Sequence, residues 1–77
     1  MSLGSYLNGE WERWKYEEPI YRQRIKEWAE EWGPMPLSRM THFLDKLPDP
    51  QLGRYSFFGM LNDEEIYMSS NRIVGLP

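Results

Sequence analysis

Bulky apolar side chains recur at steps of three and four residues through the first half of the sequence. They are Trp11, Trp14, Tyr21, Ile25, Trp28 and Trp32, with Glu18 in the one polar position of the series. Steps of three and four are the period of an amphipathic α-helix, which places all of these residues on one face. Opposite charges four residues apart occur between them and support a solvated opposite face. The spacing therefore predicts helix from Glu10 to Trp32.

Pro19 interrupts this pattern. Inside a helix, proline removes a hydrogen bond and clashes with the preceding turn, whereas at the first helical position it costs almost nothing. Two structures fit: a short helix to Tyr16 followed by a second from Pro19 to Gly33, or one kinked helix. An unbroken helix from residue 11 to residue 32 would be about 33 Å long, the full diameter expected of a globule this small. We therefore expect a break or kink near Pro19.

A connector and a second helix follow. The segment Gly33-Pro34-Met35-Pro36 is too restricted by its prolines for a helix or a central strand, so it predicts a stiff connector. A helix from Leu37 to Lys46 is predicted next and ends before Pro48. Its apolar stripe consists of Leu37, Met40, Leu44 and Leu47. We expect this stripe to meet the aromatic face of the first helix.

After Asp49-Pro50 the sequence becomes rich in aromatic and β-branched residues. The apolar segments are 55–61, 66–68 and 73–74, and Asn, Asp and Ser stand between them. This alternation of apolar and turn-forming residues predicts a hairpin or short meander, with a bulge at Gly59. The alternative is a helix from Pro50 to Leu61 capped by Asp49, which Gly53 and Gly59 would each weaken by about 1 kcal/mol relative to alanine.

These elements predict an α+β fold, with two or three helices packed on a small C-terminal antiparallel hairpin or meander. A small all-α bundle is the alternative. A chain of 77 residues is too short for two cores, so we expect a single domain over residues 1–77. The predicted core consists of Tyr21, Ile25, Trp28, Trp32, Met40, Leu44, Phe57, Met60, Ile66 and Ile73.

Composition limits the compartment and the partners. Without cysteine the chain has neither disulfides nor thiolate metal sites, and it fits a reducing compartment as well as any other. The sequence contains neither a signal peptide nor a run of about eighteen apolar residues, so we expect no membrane contact and an intracellular, cytoplasmic location. A net charge of −3 discourages binding to a nucleic-acid backbone.

Catalytic and metal-binding residues are sparse. His42 is the only histidine, and a zinc site needs three or four ligands. Asp45 stands where it would orient His42 on a helix, but no nucleophile accompanies the pair, so a solvated histidine is the better interpretation. Adjacent acidic residues diverge by about 100° on a helix and do not converge on one ion. We therefore expect no enzyme activity, no cofactor and no bound metal.

The surplus of aromatic residues favours a protein-binding role. A domain of this size has room for about two or three fully buried indoles, and exposed aromatics anchor protein interfaces. We expect Trp28 and Trp32 in the core and the contact residues in the N-terminal segment. The predicted contact residues are Tyr6, Trp11, Trp14 and Tyr16. The expected partner is another protein. The chain would act as an accessory subunit, an assembly factor or a small inhibitor such as viruses and phages encode. The sequence is also compatible with self-association.

Single-stranded nucleic-acid binding is the alternative function. It would use a hairpin face on which aromatic side chains stack with bases. The residues of this platform would be Arg54, Tyr55, Phe57 and Tyr67. The acidic balance of the chain opposes this function and ranks it below protein binding.

Overall fold

The computed structural model describes the backbone of residues 3–77 and the side chains of residues 12–77. Helices and short strands follow one another along this part of the chain. In order they are α1 (Leu3–Trp32), β1 (Met35–Pro36), α2 (Leu37–Asp45), α3 (Pro50–Asn62), β2 (Tyr67–Met68) and β3 (Ile73–Gly75). The predicted α+β fold is confirmed, and the alternative of a purely helical bundle is wrong.

α1 continues through Pro19, so the alternative of two helices with a break near this residue is wrong and the alternative of a single helix is correct. Pro19 is exposed, so water reaches the carbonyl group that its missing N–H leaves without a helical partner. On the opposite face Tyr21, Ile25 and Ala29 are buried, and tertiary packing of this kind stabilises a helix more than local propensity does. The molecule is also elongated, 45 × 23 × 19 Å, so a helix of 30 residues fits along its long axis.

α2 was predicted to within one residue and ends at Asp45. Met40 and Leu44 are buried in its apolar face. The ring of Phe43 lies against Trp28 of α1, with the ring centroids 5.2 Å apart. α2 therefore meets the aromatic face of α1 through Phe43, a residue outside the predicted stripe, whereas Met40, Leu44 and Leu47 of that stripe are buried in the core.

α3 occupies the segment in which we predicted a strand with a bulge at Gly59. That prediction is wrong, and the alternative helix capped by Asp49 is correct. The Asp49 side chain accepts a hydrogen bond from the N–H of Leu52 at 3.2 Å, and Pro50 stands in the first turn. Such a cap satisfies a backbone donor that would otherwise have no partner, and proline at the first helical position loses nothing. The start of the helix is therefore specified locally.

The glycines of α3 permit close packing. A Cβ atom at Gly53 would lie 2.7 Å from Cδ1 of Leu47, at the crossing of α3 with the end of α2. A Cβ atom at Gly59 would collide with the guanidinium of Arg22, which crosses over from α1. Each glycine lowers helix propensity by about 1 kcal/mol relative to alanine, and the side chains packed over it offset this loss.

β3 is the central strand of a small antiparallel sheet, with β1 and β2 on either side. The hairpin predicted from residues 66–68 and 73–74 is present as β2 and β3, and Met68 lies opposite Val74. The connector predicted from Pro34 to Pro36 contributes β1, in which Met35 pairs with Val74. β1 is an edge strand, the position in a sheet where proline is tolerated, so the exclusion of a central strand is confirmed.

The buried apolar side chains form one cluster between the helices and the sheet. Its members are Tyr21, Ile25, Ala29, Met35, Met40, Leu44, Leu47, Leu52, Phe57, Met60, Ile66 and Val74. Most predicted core residues belong to it, whereas Trp28 and Ile73 are half-buried at its border. Trp32 was wrongly assigned to the core, because it is 53% exposed. It is the last residue of α1 and lies beyond Ala29, the last buried residue of that helix.

Candidate protein-binding surface

Several large apolar side chains lie at the surface of the described region. They are Tyr16, Ile20, Trp32, Tyr55, Phe58, Tyr67 and Met68. Single exposed apolar residues are normal in folded proteins, so only residues that adjoin one another indicate a site. On the helices, one such group spans α1 and α3, and a second lies on the solvent side of α1.

Trp14, Tyr55 and Phe58 form the first group, which we call the aromatic surface. The rings of Trp14 on α1 and Tyr55 on α3 lie with centroids 5.4 Å apart and planes tilted by 43°. Phe58 follows Tyr55 by three residues, which makes the two neighbours on the surface of α3. Phe58 is 62% exposed, and the centroid of its ring lies 5.7 Å from that of the buried Phe57. The aromatic surface is therefore anchored on the core while presenting rings to solvent.

A groove of about 320 Å³ lies beside the aromatic surface, between α1 and α3. Its lining residues are Trp14, Lys15, Glu18, Arg22 and Tyr55. The lining combines two aromatic side chains with three charged ones, all of the latter from α1. A partner side chain that enters it would meet both kinds of group.

Arg22 joins α1 to the turn that follows α3. Its guanidinium donates hydrogen bonds to Glu18 at 2.7 Å, to Asp63 at 2.8 Å and to Glu65. Burial lowers the pKa of Arg22, but the hydrogen bonds to Asp63, Glu18 and Glu65 outweigh it and raise that pKa well above its ordinary value. Arg22 therefore stays charged at physiological pH, and three carboxylates share its single positive charge.

Further ion pairs border the aromatic surface. Arg13 donates to Asp49 at 2.6 Å and so ties α1 to the cap of α3. Arg54 pairs with Asp45 and precedes Phe58 by one helical turn. An apolar centre bordered by charged groups is the arrangement of a protein interface with its polar rim.

Trp14 is held at this surface by packing against Tyr55 and the core cluster. Its Nε1 atom is enclosed and has no hydrogen-bond partner among the described residues, and the same is true of Ser56 Oγ. A buried donor without an acceptor costs about 1–3 kcal/mol. Burial of the Trp14 indole therefore stabilises the fold less than the buried area alone would indicate.

The structure separates the contact residues predicted from the N-terminal segment. Tyr6 and Trp11 lie outside the residues whose side chains are described. Trp14 is half-buried against Tyr55 and the core, and Tyr16 is 83% exposed. Residues two positions apart on a helix point about 200° apart, so Trp14 and Tyr16 lie on different faces of α1.

Tyr16 belongs to the second apolar group, which we call the outer face of α1. Ile20, one turn later, is 61% exposed. A shallow groove continues along this face and is lined by Pro19, Ile20, Gln23, Arg24 and Glu27. Its lining combines the apolar side chains of Pro19 and Ile20 with polar and charged ones, and aromatic residues are absent from that lining.

The sequence prediction did not name Phe58 as a surface residue, and it named Tyr55 only for the nucleic-acid platform, because both were placed in a strand. In the helix, Phe57 is buried and Phe58 is exposed, whereas a strand would have put Tyr55 and Phe57 on one face. The spacing of three between Tyr55 and Phe58, after the helix start at Asp49, was the available signal.

The proposed nucleic-acid platform does not form. Arg54, Tyr55 and Phe57 lie on α3, not on a hairpin, and Phe57 is only 2% exposed. Tyr67 lies on β2. The four side chains therefore share no stacking face, and the prediction of that platform is wrong.

His42 and Asp45 do not form a catalytic or metal-binding group. His42 is exposed on α2, and Asp45, the carboxylate nearest to it in sequence, pairs with Arg54. Across the described side chains no group of three His, Cys, Asp or Glu residues is arranged to hold a metal ion.

Comparison with protein-family models, with curated proteins and with solved structures finds no match for this chain. No helix in the described part of the chain is both long and apolar enough to span a bilayer. The function has to be inferred from the surface of this chain itself.

Proposed function

We propose that this chain is a non-enzymatic protein-binding module that docks another protein through the aromatic surface. One observation carries the proposal: Phe58 is 62% exposed beside the Trp14–Tyr55 ring pair. Exposed aromatics that adjoin one another and are bordered by charge are typical interface anchors, each worth about 2 kcal/mol or more when truncated in a complex.

Packing of the three rings supports this role. Tyr55 lies against Trp14, and Phe58 lies against Phe57, so neither has to be ordered when a partner binds. Ordering a side chain at an interface costs about 0.5–1.5 kcal/mol, which pre-positioned rings largely avoid. The ion pairs of Arg13 and Arg54 then supply a rim that favours partners with matching charges.

The proposal retains the predicted N-terminal contact residues Tyr6, Trp11, Trp14 and Tyr16. Trp14 is part of the aromatic surface, and Tyr16 would add a contact from the outer face of α1. As in the expectation from sequence, the chain would serve as an accessory subunit, an assembly factor or a small inhibitor of the viral or phage type. The cysteine-free composition is compatible with action in the cytoplasm.

A matched pair of variants tests the proposal. Phe58 and Ile20 are exposed to nearly the same extent, 62% and 61%, on different helices. We expect Phe58→Ser to weaken capture of the partner from source lysate by about tenfold or more, since about 1.4 kcal/mol corresponds to a factor of ten. Ile20→Ser lies on the outer face of α1, where only the added contact of Tyr16 is proposed, so it should weaken capture less, by at most about threefold.

Photo-crosslinking gives the same test without truncation. A photoreactive side chain at position 58 should form an adduct with the captured protein, and one at position 20 should form less. Melting curves of both variants check that each remains folded. A partner that tolerates Phe58→Ser and crosslinks equally from both positions would contradict docking through the aromatic surface.

A further inference from the structure

The open edge of β2 presents backbone hydrogen-bonding groups. β2 pairs with β3 on one side, and among the described residues no strand pairs with its other side. Ser69 donates its N–H to the carbonyl oxygen of Ile73 at 2.9 Å. Hydrogen-bonded and non-hydrogen-bonded pairs alternate along an antiparallel ladder, so the next pair, Met68 with Val74, is non-hydrogen-bonded. The N–H and C=O of Met68 therefore point to the open edge.

An apolar groove of about 620 Å³ lies beside this edge, and we call it the β2 groove. It is lined by Leu61, Glu64, Ile66, Tyr67, Met68 and Pro77. Tyr67 and Met68 are 45% and 40% exposed. Successive strand residues point to opposite faces, so an extended segment beside β2 would find an apolar side chain on each face.

The β2 groove has excess negative charge at its α3 end. Glu64 lines it, and Asp63 and Glu65 stand on either side of Glu64 in sequence. Arg22 forms salt bridges with Asp63, Glu65 and Glu18. Four carboxylates therefore stand against two cations, Arg22 and the Lys15 that lines a groove with Glu18, and the excess charge is negative.

This charge selects between two occupants of the edge. A second copy of the chain would pair its β2 with this one and bring the same carboxylates into proximity, which is unfavourable. A segment carrying lysine or arginine would instead be attracted. The charge complementarity therefore favours a basic partner over self-association.

We propose that the β2 edge binds an extended peptide segment of a partner protein, with apolar side chains in the β2 groove and lysine or arginine beside them. The segment would pair its backbone with Met68 as an added strand, a mode in which main-chain hydrogen bonds supply affinity and side-chain pockets supply specificity. This inference rests on the proposed function and names the chemistry of a partner segment.

The probe is a blocked peptide with the central sequence Lys-Val-Leu-Val-Lys, titrated to about 5 mM into the isotope-labelled full chain, since an added strand this short binds weakly. We expect amide shifts centred on Met68 and its neighbours 64–67. The same peptide with both lysines replaced by glutamate should bind at least about tenfold more weakly.

Two N-methylated forms of the peptide test strand pairing directly. One carries the methyl group on the central leucine and the other on the adjacent valine, and only one of these N–H groups faces β2 in an added strand. We expect one form to lose binding and the other to keep it. Equal binding of both forms would contradict an added strand.

Variants of the chain test the charge. Glu64→Gln should weaken the lysine peptide by about two- to fivefold, the effect of one rim charge. Glu27→Gln changes an exposed residue on the outer face of α1, away from β2, and should have no effect. Equal affinity for the lysine and glutamate peptides, shifts centred elsewhere, or concentration-dependent dimers through β2 would each overturn the inference. If the peptide fails while Phe58→Ser still abolishes partner capture, the inference is wrong and the proposed function stands.

Discussion

Among the described side chains, two pairs of aromatic rings attach α1 to the other helices, and they differ in surroundings more than in geometry. Trp28 meets Phe43 at 5.2 Å with planes tilted by 33°, and Trp14 meets Tyr55 at 5.4 Å with a tilt of 43°. Trp28 and Phe43 both pack against the buried cluster. Tyr55 is 43% exposed, and the groove beside Trp14 contains Arg22.

The comparison indicates a division of roles. The Trp28–Phe43 pair closes the end of the core and contributes mainly to folding. The Trp14–Tyr55 pair also packs on the core, but it borders Phe58 and a charged groove, so it contributes to folding and to the proposed binding surface. The sequence expectation that Trp14 is surplus to the core is therefore too simple, because Trp14 packs against the buried cluster.

The largest effect on stability should come from the Trp28–Phe43 pair. We expect Trp28→Ala to lower the free energy of unfolding by about 3 kcal/mol, because a large side chain is removed from a position packed on the core. Trp32→Ala is the control, since Trp32 is 53% exposed, and it should lie within about 1 kcal/mol of wild type. Urea denaturation monitored by circular dichroism measures both. If Trp32→Ala proved the more damaging, the assignment of the two indoles would have to be reversed.

A smaller effect on stability should distinguish the indoles of Trp14 and Trp28. Trp14→Phe removes an enclosed N–H that has no described partner, and we expect this gain to offset the lost packing, leaving stability within about 0.5 kcal/mol of wild type. Trp28 carries no such enclosed, unpartnered N–H in the described structure, so Trp28→Phe should destabilise by about 1 kcal/mol or more. Thermal melts of the two variants decide this, and equal losses at both positions would show that the Trp14 N–H has an acceptor.

A third comparison concerns the charged side of the Trp14 groove. Arg22→Ala should destabilise by about 1–2 kcal/mol, because three carboxylates lose a shared donor. In that background Gly59→Ala should stabilise by about 1 kcal/mol through helix propensity, whereas in wild type it should not, since the new Cβ collides with Arg22. A double-mutant cycle by urea denaturation gives the coupling. An identical effect of Gly59→Ala in both backgrounds would mean that Arg22 moves aside freely.

Several features follow from local sequence pattern. The period of the apolar residues predicted α1 and α2, and the helix stop at Gly33 followed from glycine before proline. The hairpin of β2 and β3 followed from alternating apolar and turn-forming residues. These elements are encoded within a few neighbouring residues, so one sequence suffices to find them. The α+β fold and most of the core follow from them.

For the candidate site, the sequence indicated the importance of exposed aromatics but not which residues are exposed. Trp14 and Tyr16 are close in sequence and lie on different faces of α1, whereas Trp14 and Tyr55 are far apart in sequence and in contact. The order of residues shows which side chains share a helix face. It does not show which helix covers that face.

What the sequence by itself determined was the set of local elements with strong periodicity and the class of the fold. The tertiary structure decided the rest: that α1 passes through Pro19, that residues 50–62 are helical despite Gly53 and Gly59, and that Trp32 is exposed. Local propensity opposed the helix at Pro19 and at both glycines by a few kcal/mol at most. Burial of the opposite face of α1, and the fit of Leu47 and Arg22 over bare glycine backbone, outweigh such amounts, and these contacts exist only once distant segments have come together.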